Sequence, residues 1–440
     1  QAGSFNRAYS TEYKQFKGVD FSTDAVSIDN SRSPYAPNMI SDAGGMPEKR
    51  VGWRSLYRFA TMTCDGWVSA QNAPIFGIYP CTISSTDYLI IHIGCKIYNY
   101  PSSGVPVLLY TMASNYGLGT SKAIFFDDKL YLWVGSEYLV FNGSTVSPVV
   151  GYVPTVTIGR TATGGGTAYE ALNYLSSASI DSFYITQAVF ETPTKTFYSS
   201  MQGIDALNVG ETNKVEVSIR YAGDGWATHY EGDEYSEGVP LFTVDRTAGS
   251  VTFNDDWHAA LIAGSYINYV DGQDNIRIKV YKWRGILTTS DDTLIKYAKV
   301  ATLYNGFVFC TGVGGSDYRS GFNDPTYFPV DGYDDVGTSN SRIMGYLRVG
   351  KYLAIIKEDN DQDATVFFRY DTTLTDGTVV FVRVNAITGV GAASINAFAT
   401  LNGEPLFLSD SGVQAIVSNT LTDDRIVQAR SGFVDPWLMV

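Results

Sequence analysis

From Gly77 onward short apolar runs, some of them alternating with polar positions, are separated by Gly, Asn and Asp turns, the pattern of β-strands. Tyr88–Tyr100 (YLIIHIGCKIYNY) reads as two strands about a tight turn at Gly94. Ala123–Gly143 (AIFFDDKLYLWVGSEYLVFNG) reads as three strands, with turns at Asp127–Asp128 and Gly135. The form returns in Ala301–Thr311 (ATLYNGFVFCT), in Ile343–Lys357 followed by Val366–Tyr370, and in Ile395–Ala415 (INAFATLNGEPLFLSDSGVQA). The later units follow one another at about 45–50 residues, the period of a four-stranded propeller blade. About five such blades fit the chain, although no Trp-Asp dipeptide recurs.

Between Pro154 and Trp283 that rhythm breaks. Tyr169–Ser176 (YEALNYLS) predicts a short helix, and Trp257–His258 falls in a predicted loop. Strands are predicted at Lys214–Tyr221, Pro240–Val244, Ser250–Phe253 and Asn275–Trp283. The expectation is an all-β chain in which a β-propeller is interrupted by an inserted β-sandwich-like domain. Its parts are an N-terminal arm (1–19), a first propeller part (20–153), the insert (154–287) and a second propeller part (288–440). Ring closure leaves three arrangements open: a further blade from sequence beyond the C-terminus, a contribution from the N-terminal segment, or a smaller propeller.

Composition sharpens this picture. Aromatic residues make up 14% of the 440 positions and charged residues only 17%, a profile suited to pleated, half-buried faces. No apolar run approaches the ~20 residues of a membrane span. The polar stretch Gln1–Ser10 does not read as a signal peptide. The net charge of −14 argues against a protein that grips nucleic acid, because phosphate neutralisation needs Lys and Arg. The charge reads first as a source of solubility, and it is also compatible with a channel wall that DNA passes without sticking.

Candidate chemistry is sparse. Cys64, Cys81, Cys95 and Cys310 form no C-x-x-C pair and read mainly as small buried apolar residues. His92, His229 and His258 are far apart in sequence and are expected in different units, as structural side chains. The run Gly164–Gly166 lacks the Lys of a phosphate loop. Asp359, Asp361 and Asp363 alternate as a calcium loop begins and are the only metal candidates. However, Ala364 replaces the required Gly and Tyr370 the twelfth-position Glu, so a solvated acidic hairpin tip is expected. Asp331, Asp334 and Asp335 are read the same way. No catalytic residue and no cofactor are predicted. Lys49, Arg50, Arg54 and Arg58 form the densest basic cluster and are candidates for docking an acidic partner.

Phe16–Trp53 (FKGVDFSTDAVSIDNSRSPYAPNMISDAGGMPEKRVGW) carries a further signal. Gly18–Asp20, Ala36–Ile40, Asp42, Gly44–Gly45 and Lys49–Trp53 resemble the opening motif of the propeller-containing tail hub or nozzle proteins of short-tailed phages. These are the proteins similar to tail tubular protein B and to packaged-DNA stabilisation proteins. Val51 stands where that motif usually has Pro. Segments of the insert, together with Phe307–Gly312, Tyr327–Pro329 and Leu406–Val413, resemble the same group. The resemblance implies a non-enzymatic virion tail subunit. Such a subunit forms a homo-oligomeric, hexameric ring below the portal and adaptor and contacts other tail proteins. Packaged DNA passes through its bore without sequence-specific binding, and is retained and then released. The rival expectation is a tail-associated propeller protein that binds carbohydrate, or cleaves it with paired carboxylates.

Overall fold

The computed structural model describes residues 15–41, 45–57, 74–112, 121–157, 160–208, 210–223, 225–282, 295–312, 314–418 and 424–438, together with the backbone of a short hairpin, Thr63–Cys64 with Trp67–Val68. Five four-stranded antiparallel sheets, each with its strands in chain order, form the propeller part. Blade 1 runs from Ile75 to Thr111 and blade 2 from Ser121 to Pro148. Blade 3 runs from Val300 to Asp335, blade 4 from Ile343 to Thr388 and blade 5 from Phe398 to Ala429. The protein is therefore all-β, with propeller blades and an inserted sandwich.

Tight turns open these blades. Asp127–Asp128, Asn305–Gly306 and Asn402–Gly403 all have positive φ and join strands paired directly across them. Two-residue turns of this hand match the right-handed twist of the strands. Ser84–Ser85 adopts the same conformation in blade 1 without any glycine or Asx residue. Its compensation is tertiary: the Ser84 N–H (2.9 Å) and hydroxyl (2.8 Å) donate to the Asp128 carboxylate in the turn of blade 2.

Each blade packs its faces against its chain neighbours. Ile83, Ile90 and Ile97 meet Leu130, Leu132, Leu139 and Phe141 between blades 1 and 2. Tyr131, Trp133 and Tyr138 meet Val308, Cys310 and Phe328 between blades 2 and 3, so the insert does not separate those blades. There the Trp133 indole N–H donates to the Ile295 carbonyl at 3.0 Å. Tyr304, Phe309 and Val336 meet Ile343, Leu353 and Ile355 between blades 3 and 4. Met344, Ile356 and Phe368 meet Phe407 and Ile416 between blades 4 and 5.

The seam between blades 3 and 4 also holds charge. Arg369 and Asp317, both almost fully buried, form a two-pronged ion pair. The ring of Phe309 lies 4.3 Å from the guanidinium carbon. Burial pushes the Asp317 carboxyl up and the Arg369 guanidinium opposes it. The Lys357 ammonium, also buried, donates to the carbonyls of Val336 (2.6 Å) and Thr338 (3.1 Å). Such groups hold the seam in one register, because sliding it would strand a charge in a dry interior.

The insert is a two-sheet sandwich. Its larger sheet orders Thr155–Val156, Ala178–Phe183, Ile276–Tyr281, Glu216–Tyr221 and Gly225–Tyr230, and its smaller one Thr196–Tyr198, Ser250–Phe253 and Phe242–Asp245. Val217, Ile219, Ile276 and Ile278 from the first meet Phe197, Phe242, Val251 and Phe253 from the second.

Two expectations for the insert are corrected. Trp257–His258, placed in a loop from sequence, lies in a helix, α1 (Asp255–Ala263), after a four-residue helical turn at Gln187–Phe190. Its cap explains it: the Asn254 side chain accepts from Asp256 N–H (2.9 Å) and Trp257 N–H (3.3 Å), and two aspartates occupy the first turn. Tyr169–Ser176, expected to be helical, is extended with a tight turn. Eight residues are too few to sustain a helix alone, and here backbone pairing to blade 3 wins. Tyr174 N–H donates to the Phe328 carbonyl (2.8 Å) and Val330 N–H to that of Leu172 (3.2 Å).

Candidate functional sites

The segment that carries the tail-protein resemblance forms an anchored arm. Asp20 is buried, and its carboxylate accepts from Ser22 N–H (2.9 Å), Thr23 N–H (3.1 Å) and both hydroxyls. These bonds, led by that of the Ser22 hydroxyl, hold its pKa below the ordinary value. The Phe21 N–H donates to the Phe433 carbonyl at 2.7 Å, and the Arg32 guanidinium lies 3.7 Å over the Phe433 ring. The arm thus fastens the start of the described chain to the residues that follow blade 5.

Beyond this anchor the arm becomes a two-stranded ribbon, Met39–Ser41 against Pro47–Lys49. Every residue of the second strand is exposed. Val51, Trp53 and Leu56 beyond it are 81%, 84% and 73% exposed. The candidate docking residues Lys49, Arg50 and Arg54 are exposed among them, whereas Arg58 lies outside the described residues. Sequence alone marked the positive charges. It did not show that bulky apolar side chains stand among them, unburied by the chain's own blades.

The acidic loop of blade 4 is a joint between blades. Asp359 Oδ2 accepts from the Asp410 N–H of blade 5 at 2.8 Å. Asp363 Oδ2 accepts from Thr338 N–H at 2.8 Å, and Asp363 Oδ1 from the Thr365 hydroxyl at 3.0 Å. Asn360 Oδ1, not an aspartate, caps the turn by accepting from Gln362 and Asp363 N–H. Asp361 is exposed. The carboxylates of Asp359 and Asp363 thus face different partners. Among the described residues, no group of three or more His, Cys, Asp or Glu side chains is placed to hold a metal ion.

Other expectations change. Asp334 and Asp335 lie in the last strand of blade 3, not in a solvated tip, and Asp334 pairs with Arg383. Cys95 is not a plain apolar residue but is disulfide-bonded, while Cys81 and Cys310 are free. His229 and His258 do not lie in different units. Both belong to the insert, with the His229 ring 5.1 Å from that of Trp257 and His258 the next residue of α1. His258 Nε2 lies 2.9 Å from the Phe190 carbonyl, and buried His92 has Nε2 3.0 Å from the Gly94 carbonyl. Burial lowers the pKa of all three histidines.

No protein-family model matches the chain, and no curated protein matches it in sequence. Among solved structures, the β-propeller domain of Myceliophteria thermophila Cps50 (Swd1) is similar over 81% of this chain and 89% of its own, at 7% identity and a TM-score of 0.28. BamB from Moraxella catarrhalis is similar over 79% and 86%, at 11% identity and a TM-score of 0.24. The extracellular domain of the hybrid two component system BT4673 from B. thetaiotaomicron is similar over 82% of this chain but only 34% of its own, at 11% identity and a TM-score of 0.25. The chain therefore spans about a third of that last structure. Likeness at this level carries nothing about function, and the blade assignment rests on the strand pairing above.

Proposed function

We propose that this chain is a structural, non-enzymatic subunit of a phage tail nozzle or hub ring. The observation that carries the reading is the arm. The residues that resemble the opening motif of such proteins are anchored at Asp20 and Phe433, then project Val51, Trp53 and Leu56 with Lys49, Arg50 and Arg54 into solvent. Burying one such apolar side chain contributes roughly 1.5–3 kcal/mol, which makes these three natural anchors of a larger contact with a neighbour. The basic residues suit an acidic partner surface.

In this reading about six copies form a ring below the portal and adaptor. The blades give a stiff wall, the arm ties each copy to the next, and other tail proteins dock on the ring. The ring retains packaged DNA until infection, and its acidic balance keeps the duplex from adhering to the bore as it is released through the tail. The test is imaging of the purified full chain by negative-stain electron microscopy. Rings with a central opening wide enough for a DNA duplex are expected. Closed particles without an opening would contradict the reading.

A further inference from the structure

The inserted sandwich carries a pocket of about 650 Å³ that the ring reading does not use. It opens between α1 and the hairpin that contains His229 and Asp233. Trp257 and His229 form its wall, and Tyr235 and Tyr266 stand at its rim, 45% and 53% exposed. Asp233 and Glu234 supply carboxylates, and among the described residues no lysine or arginine lines it.

The local fold fixes these groups. The Ala222 N–H donates to the Tyr266 carbonyl at 2.8 Å, which ties the rim to the end of a central strand. The Tyr221 hydroxyl lies 3.3 Å from His229 Nε2. Asp233 Oδ2 accepts from the Tyr230 N–H at 2.7 Å and Glu234 Oε2 from the Gly238 N–H at 3.1 Å, so each carboxylate is held in place at one oxygen. A carboxylate oxygen has acceptor sites to spare beyond one such bond.

We propose that this pocket is a binding site for an uncharged saccharide. A pyranose offers an apolar C–H face and a rim of hydroxyls. Exposed tyrosine rings give the first a flat surface, and the fixed carboxylates accept from the second. The charge pattern selects among sugars: Lys214, whose charge reaches Asp233, is paired with Glu211, so Asp233 and Glu234 leave the rim with excess negative charge that repels acidic saccharides and phosphates. The site is independent of ring assembly, so its failure would leave the ring reading intact.

The test uses the full chain, on a glycan array of neutral and sialylated oligosaccharides followed by calorimetric titration of the best neutral ligand. Choline serves as a cationic control. The expected result is binding of a neutral oligosaccharide at a dissociation constant of about 1 mM or tighter. Tyr266→Ala and Asp233→Asn should each weaken it by roughly ten-fold or more, with the unfolding midpoint unchanged. Glu237→Gln, outside the lining, should leave it as it is. Absence of neutral-sugar binding overturns the proposal. So does a preference for sialylated glycans, binding of choline alone, or binding that both pocket variants retain in full.

Discussion

The side-chain amide of Asn173 donates to the Thr326 carbonyl at 2.8 Å, and so ties the inserted sandwich to blade 3. The same amide donates to the Tyr152 carbonyl (2.8 Å), while its oxygen accepts from Leu175 N–H (3.0 Å) and Phe328 N–H (2.9 Å). One buried side chain thus satisfies four backbone groups on three segments. Asn173→Ala leaves them without that partner, at about 1–3 kcal/mol for each that water cannot reach. The expected outcome is a loss of about 3 kcal/mol in urea unfolding. Hydrogen exchange should accelerate at the amides of Leu175 and Phe328 before it does in the strands of the blades.

The pair Arg369–Asp317 predicts a non-additive result. Asp317→Leu alone removes the two-pronged partner of the guanidinium in the seam between blades 3 and 4, leaves it only Asp334 at 3.6 Å, and should cost about 3 kcal/mol. Arg369→Met alone strands the carboxylate with a similar cost. The double variant replaces the pair by apolar side chains and should recover most of the loss. A double-mutant cycle by denaturant unfolding measures this. Simple additivity would show that the two groups act separately.

His92 makes stability depend on pH. Burial holds its imidazole at about 4, against 6.5 for the free side chain. The unfolded chain therefore binds a proton, as pH falls through that window, which the folded chain refuses. Stability is full above pH 6.5 and declines towards pH 4, by up to about 3 kcal/mol from this residue. His229 and His258 are shifted in the same direction and add to the slope. Unfolding midpoints at pH 7 and pH 4.5 should differ less in His92→Leu than in the natural chain.

The acidic loop of blade 4 predicts unequal effects of three similar substitutions. Asp363→Ala removes the acceptor of Thr338 N–H and should cost about 1–2 kcal/mol. Asp359→Ala loosens blade 5 through the Asp410 N–H by a similar amount. Asp361→Ala, at an exposed position, should stay within about 0.5 kcal/mol. Melting in calcium and in a chelator should agree. A calcium-dependent rise that all three substitutions abolish would instead identify a metal loop.

Local features of the blades were legible because local chemistry decides them. Asp127–Asp128, Asn305–Gly306 and Asn402–Gly403 are residues that tolerate positive φ, set between apolar runs. Ser84–Ser85 was not legible, because its conformation leans on Asp128 in the next blade. The α1 helix was hidden by its shortness and by an Asn254 cap that also reads as a turn. The apolar ribbon of the arm and the meeting of His229 with Trp257 depend on what the rest of the chain covers, which no spacing reports.

The arm is the centre of the account, and mass photometry of the full chain tests it most directly. The natural chain should give a mass of about six copies. Substituting Val51→Asp and Trp53→Asp together should shift it to the monomer. Because both side chains are exposed, the unfolding midpoint should change little. A natural chain that remains a monomer at every concentration, or an oligomer indifferent to the charged arm, would contradict the account.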